Sequence, residues 1–160
     1  VGSFENEYTI GVLSGLDNEI ISVIALKRYI ISGLSSKIKI NSLRQNNEML
    51  VISSGISQGD IIIDDNLNRQ CIEIATVVGS TGPINIQCRY VNGIVYPFEI
   101  NPRFSGTTYI RALAGINEPD LFIRKYLLKE EMTDCLIPKR LTVLRGLEEM
   151  SINNSMNSES

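Results

Sequence analysis

Gly82-Pro-Ile-Asn-Ile-Gln-Cys-Arg-Tyr-Val-Asn-Gly-Ile-Val-Tyr-Pro-Phe-Glu-Ile-Asn-Pro-Arg-Phe-Ser-Gly-Thr-Thr108 is the stretch from which the rest of the chain is read. Ile84, Ile86, Cys88 and Tyr90 recur every second residue, and so do Ile94, Tyr96, Phe98 and Ile100, the period of a half-buried strand. Asn92-Gly93 between them is a turn signal, so the stretch predicts an antiparallel pair over 82–91 and 94–101. All eight apolar residues are even-numbered. If both sets face one core, paired residue numbers must sum to an even value, and a two-residue loop pairing Val91 with Ile94 gives an odd one. The loop must then have an odd length or the ladder a bulge, and a three-residue loop with Gly93 in the left-handed position satisfies this.

The opposite face then collects Asn85, Gln87, Arg89, Glu99 and Asn101, with the smaller Val95 and Pro97. Glu99 and Asn101, two apart on one strand, lie roughly 6.5 Å apart at Cα, and Gln87 is across from them. One carboxylate with two amide oxygens is a hard, oxygen-only donor set that leaves room for water and phosphates, the way Mg²⁺ is usually held. Arg103, just past the strand end, is placed to neutralise phosphate charge. From spacing alone, the alternative is the solvated face of an amphipathic hairpin.

Working outward, Tyr8 to Leu13 and Ile20 to Ile31 are rich in β-forming residues and flank the turn-forming Ser14 to Asn18, which predicts a second hairpin. Lys37 to Leu43 reads as a strand or ordered loop, and 44–60 is polar and ambiguous. Asp64 and Asp65 stand at an N-cap, Leu67, Cys71, Ile74 and Val78 follow at helical spacing, and Gly79 supplies a left-handed stop, predicting a helix over 65–78. A short helix is expected over 107–114, another from Asn117 through Leu128 with Pro119 in its first turn, and a last strand over Arg140 to Met150. The fold class is thus α+β, an antiparallel sheet with helices packed on one face, over residues 1–150. Residues 151–160 are too polar to pack and read as a frayed tail.

The 160 residues carry 15 Lys and Arg against 18 Asp and Glu, three Cys, and neither Trp nor His. Without imidazole, Ser/His/Asp and Cys/His nucleophile pairs and histidine metal ligands are excluded. No run of Lys or Arg gives a footprint for nucleic acid. The apolar runs are a few residues long, against roughly 20 for a membrane span, and no leader pattern opens the chain, so a soluble cytoplasmic protein with no membrane partner is expected. Cys71, Cys88 and Cys135 lack metal-site spacing and are read as small hydrophobes in a reducing compartment.

The 82–108 stretch resembles the metal-binding core of ATP-grasp enzymes, in particular the large subunit of carbamoyl-phosphate synthase and the carboxylate–amine ligases similar to it, with their Asn-x-Gln followed by Glu-x-Asn-x-Arg. The resemblance implies a C-terminal ATP-grasp lobe using ATP and Mg²⁺ (or Mn²⁺). Gln87 and Glu99 would ligate one ion, Glu99 would bridge to a second held by Asn101, and Arg103 would be the catalytic contact to the transferring phosphoryl group. Glu7-Tyr8 resembles a segment whose glutamate lies at the nucleotide site, Gly33 to Ser36 (with Ser35) resembles the loop over the phosphates, and Arg28 precedes it. Bland alternatives are a solvated strand end for Glu7, a plain turn for Ser35 and Ser36, and a surface cation for Arg28. Gly106 stands where the synthase carries another arginine, so that a second phosphate cation is missing or comes from elsewhere, Arg111 being a candidate.

The activity implied is carboxylate activation through an acyl phosphate, with ATP and a small carboxylate-type substrate as partners. The family's N-terminal lobe has no counterpart here, which implies a half-site that is inactive alone, with an exposed face open to homodimerisation. The competing reading is a non-catalytic nucleotide-binding or interaction domain of the same fold.

Overall fold

The computed structural model describes residues 4–30, 35–41, 49–55, 57–131 and 136–146. In chain order the strands are β1 (Glu7–Ser14), β2 (Ile20–Arg28), β3 (Ser35–Asn41), β4 (Met49–Gly55), β5 (Gly59–Ile62), β6 (Pro83–Val91), β7 (Ile94–Asn101) and β8 (Thr142–Val143). The helices are α1 (Asp65–Val77), α2 (Thr108–Leu113) and α3 (Glu118–Tyr126). Six strands make one antiparallel sheet in the order β7-β6-β1-β2-β5-β8, and β3 pairs with β4 in a separate ribbon. The ambiguous 44–60 segment contributes β4 and the start of β5. Gly33, Cys135 and the tail at 151–160 lie outside the described residues. Among the described residues no helix is long and apolar enough to cross a membrane.

The α+β class is as the pattern predicts, but the helices are not confined to one face. The central strand β1 is buried along its whole length. Tyr8, Ile10 and Val12 meet Leu67, Cys71 and Ala75 of α1, together with Ile84, Ile86 and Cys88 of β6. On the other face Leu13, Ile24, Leu26 and Ile61 meet Ile110, Ala114, Ile116 and Leu121 from α2, α3 and the turn between them. A strand buried on both sides, as β1 is, needs a covering layer on each. The α1 stripe differs by one residue, Ala75 being buried and Val78 exposed. Its cap is as read, the Asp64 carboxylate accepting from the Leu67 amide at 2.9 Å.

The β6–β7 hairpin meets the parity requirement by the second of the two routes. Asn92 and Gly93 form a two-residue turn, both with positive φ (52° and 76°), and Val91 pairs with Ile94. The register then shifts beyond the Cys88–Pro97 pair, so that Gln87 faces Glu99, with Phe98 the extra residue of a bulge. The bulge reverses the distal half of β7 relative to expectation. Val95 packs against the α1 core, and Ile94, Tyr96 and Phe98 are exposed. Val95 and Pro97 line a groove with α1 rather than sharing the face of Gln87.

Candidate functional site

The bulge leaves the proximal half of the hairpin in the register that the chemistry needs. Gln87 pairs directly with Glu99 and Asn85 with Asn101, on the sheet face that carries α2 and α3. Asn101 Nδ2 donates to Glu99 Oε1 at 2.6 Å. In front of them is a cavity of about 300 Å³ lined by Thr9, Arg28, Ser57, Asn85, Gln87, Glu99, Arg103, Ser105, Gly106 and Thr107. Every one is polar, charged or glycine, unlike the apolar walls of most small-molecule pockets.

Glu7 and Arg28 are neither a solvated strand end nor a surface cation. Both are buried, and Arg28 Nη1 donates to Glu7 Oε1 at 2.5 Å and to Gln87 Oε1 at 3.2 Å. They meet because β1 runs between β2 and β6, placing Glu7 beside both Arg28 and Arg89. Burial pushes the Glu7 carboxyl above its ordinary range, and the Arg28 and Arg89 guanidiniums pull against that rise. Ser35 and Ser36 open β3 and pair with Gly55 and Ser54 of β4.

Arg111 is not the second phosphate cation. It is 1% exposed and ion-paired to Glu118 at 3.0 Å, with Nη2 donating to Asn85 Oδ1 at 2.6 Å. Thr9 Oγ1 donates to the same oxygen at 2.8 Å. The two donors fix the Asn85 amide, itself buried and lining the cavity, so that its oxygen is turned toward Arg111 and Thr9. This buried network is the part of the site that the sequence reading missed. Its signal is Gly11, the one residue of β1 without a side chain beneath Arg111 and Glu118.

The donors present suit the group that the fold family implies. Gln87 and Glu99 line the cavity and Asn101, outside the lining, is hydrogen-bonded to Glu99; the three supply only oxygen and amide groups, and among the described residues the carboxylate is exposed rather than locked in an ion pair. That chemistry matches Mg²⁺, which takes one or two protein carboxylates and fills its remaining positions with water and phosphate.

The site is a polar cleft on an antiparallel sheet, with a hard oxygen set at one strand end and arginines around it. The chain belongs to the ATP-grasp family: the family model described as ATP-grasp in the biosynthetic pathway with Ter operon matches residues 4–148. No curated protein matches it. ATP-grasp domains generally bind ATP with Mg²⁺ and are typically ligases, so the function is of ATP-dependent ligase or nucleotide-binding type.

Proposed function

We propose that this chain is the phosphate-handling and metal-handling part of an ATP-dependent ligase that activates a small carboxylate as an acyl phosphate for attack by an amine or similar nucleophile, in the manner of carbamoyl-phosphate synthase. The observation that carries the proposal is the register pairing of Gln87 with Glu99 at the cavity, with Asn101 hydrogen-bonded to Glu99 and Arg103 just beyond the strand. Gln87, Glu99 and Asn101 would hold Mg²⁺, which supplies charge neutralisation for the phosphates. Arg103 is the exposed guanidinium at the cavity and stabilises charge on the transferring phosphoryl group. Arg28 keeps the Gln87 side chain in position from below, anchored by Glu7. Phosphoryl transfer depends on positioning and charge more than on acid–base groups, so a chain without histidine is suited to it.

The test uses Mn²⁺ as a paramagnetic substitute for Mg²⁺. Added to this chain, it should broaden the NMR signals of Gln87, Glu99 and Asn101 before others. Glu99→Gln should weaken Mn²⁺ binding by ~100-fold or more, at least the loss found for outer-shell partners of metal ligands, while keeping the dispersed spectrum of the folded sheet. Broadening that ignores these residues, or that survives Glu99→Gln, contradicts the assignment.

A further inference from the structure

Two guanidiniums are held on the carbonyls of one loop. Arg103 Nη1 donates to the Phe104 carbonyl at 3.0 Å, and Arg145 Nη2 donates to the Gly106 carbonyl at 2.7 Å. Arg145 arrives from the far edge of the sheet. β8 pairs with β5 through Asp60 and Thr142, whose hydroxyl donates to the Asp60 carboxylate at 2.6 Å. Two residues past β8, the Arg145 amide donates to Gln58 Oε1 at 3.1 Å, next to the cavity-lining Ser57. Arg145 is therefore bonded to the cavity-lining Gly106 and to Gln58, the chain neighbour of the cavity-lining Ser57.

Arg28, Arg69, Arg111 and Arg124 each pair with a carboxylate, whereas among the described residues neither Arg103 nor Arg145 does. A guanidinium that spends one N–H on a carbonyl and has no carboxylate partner keeps its other N–H groups for an oxyanion. The space is there as well, since a Cβ built on Gly106 meets nothing within 4 Å.

We propose that Arg145 is a second anion-binding residue of the cavity, acting with Arg103 on the oxygens of a polyphosphate chain. This rests on the phosphate-handling reading above. Arg145 is a binding residue, and the loop keeps its conformation without it.

Calorimetry of the 160-residue chain with Mg²⁺ and either ATP or inorganic tripolyphosphate tests this. Arg145→Gln should weaken both about tenfold, the scale of one charge-assisted hydrogen bond, with the β5 and β8 amide signals unmoved. Restoring a guanidinium from the loop, as Gly106→Arg in the Arg145→Gln background, should recover most of the affinity. Wild-type affinity in Arg145→Gln overturns the proposal. So does a loss that neither Gly106→Arg nor Arg145→Lys repairs, which would make Arg145 a structural tie. Loss for ATP alone, with tripolyphosphate unaffected, also overturns it by moving Arg145 to the nucleoside end. If the unmodified chain binds no polyphosphate at millimolar concentration while Mn²⁺ still broadens Glu99, this inference fails alone. If Mn²⁺ also fails, the functional reading falls with it.

Discussion

Gly11 lies mid-strand in β1, with the Arg111–Glu118 ion pair seated directly on it. A Cβ there would stand 2.2 Å from both Arg111 Nη1 and Glu118 Oε1. Those groups are 1% exposed, and Arg111 also holds Asn85 at the cavity. A methyl group would lift the pair off the sheet and leave two poorly matched buried charges. Gly11→Ala should therefore lower stability by roughly 3 kcal/mol or more, the range for breaking a buried pair, measured by urea denaturation. A loss below 1 kcal/mol would mean that the pair relocates without strain. Strand alternation puts Gln87, Glu99 and Asn101 on one face of the hairpin, and the ladder agrees, with Gln87 opposite Glu99 and Asn85 opposite Asn101. The burial of Arg111 is not legible in the same way, because it depends on an absent side chain a hundred positions upstream, which no local pattern reports. Arg28 was reachable from the ladder only once β1 was known to lie between β2 and β6.

At the scale of elements, the hairpin shows where parity reasoning holds and where it stops. The demand for an even register was right next to the site, where Gln87 faces Glu99, but a bulge met it locally and left a two-residue turn at the tip. Nothing in the alternating apolar pattern marks Phe98 as the extra residue. The choice is made by α1. Gln70 Nε2 and Asn66 Nδ2 both donate to the Gly93 carbonyl at 2.8 Å, and Gln70 Oε1 accepts from the Val95 amide at 3.0 Å. These bonds draw the turn onto the helix, bring Val95 into the core and cap one donor of an edge strand that would otherwise be open to pairing. Gln70→Ala should cost about 1 kcal/mol, the net value of a typical hydrogen bond, and should speed hydrogen exchange at the Val95 amide ahead of the β1 amides. Equal exchange at the two places would show that the helix does not hold the turn.

For the whole molecule, the sheet is organised around β1, with β6 and β2 flanking it and one helical layer on each side. The α+β class and most of the strands followed from periodicity and turn residues. The two-sided burial did not, since Thr9 and Gly11, alternating with Tyr8, Ile10 and Val12 in β1, give no sign that the second face is covered as well. Cys71 on α1 and Cys88 on β6 touch across one of those layers, both with no exposed surface, and their mutual hydrogen bond, together with burial, pushes the Cys71 thiol well above its ordinary range. A thiol so placed is inert until the layer opens. In a Cys135→Ser background, modification of the pair by a disulfide reagent should be slower than that of an unfolded peptide by ~10³ or more, as expected for groups exposed only by global opening, and should accelerate with urea in step with unfolding. Fast modification in native buffer would mean that α1 lifts from the sheet on its own. The two sulfur atoms thus serve as a chemical clock, counting how often helix and sheet part company.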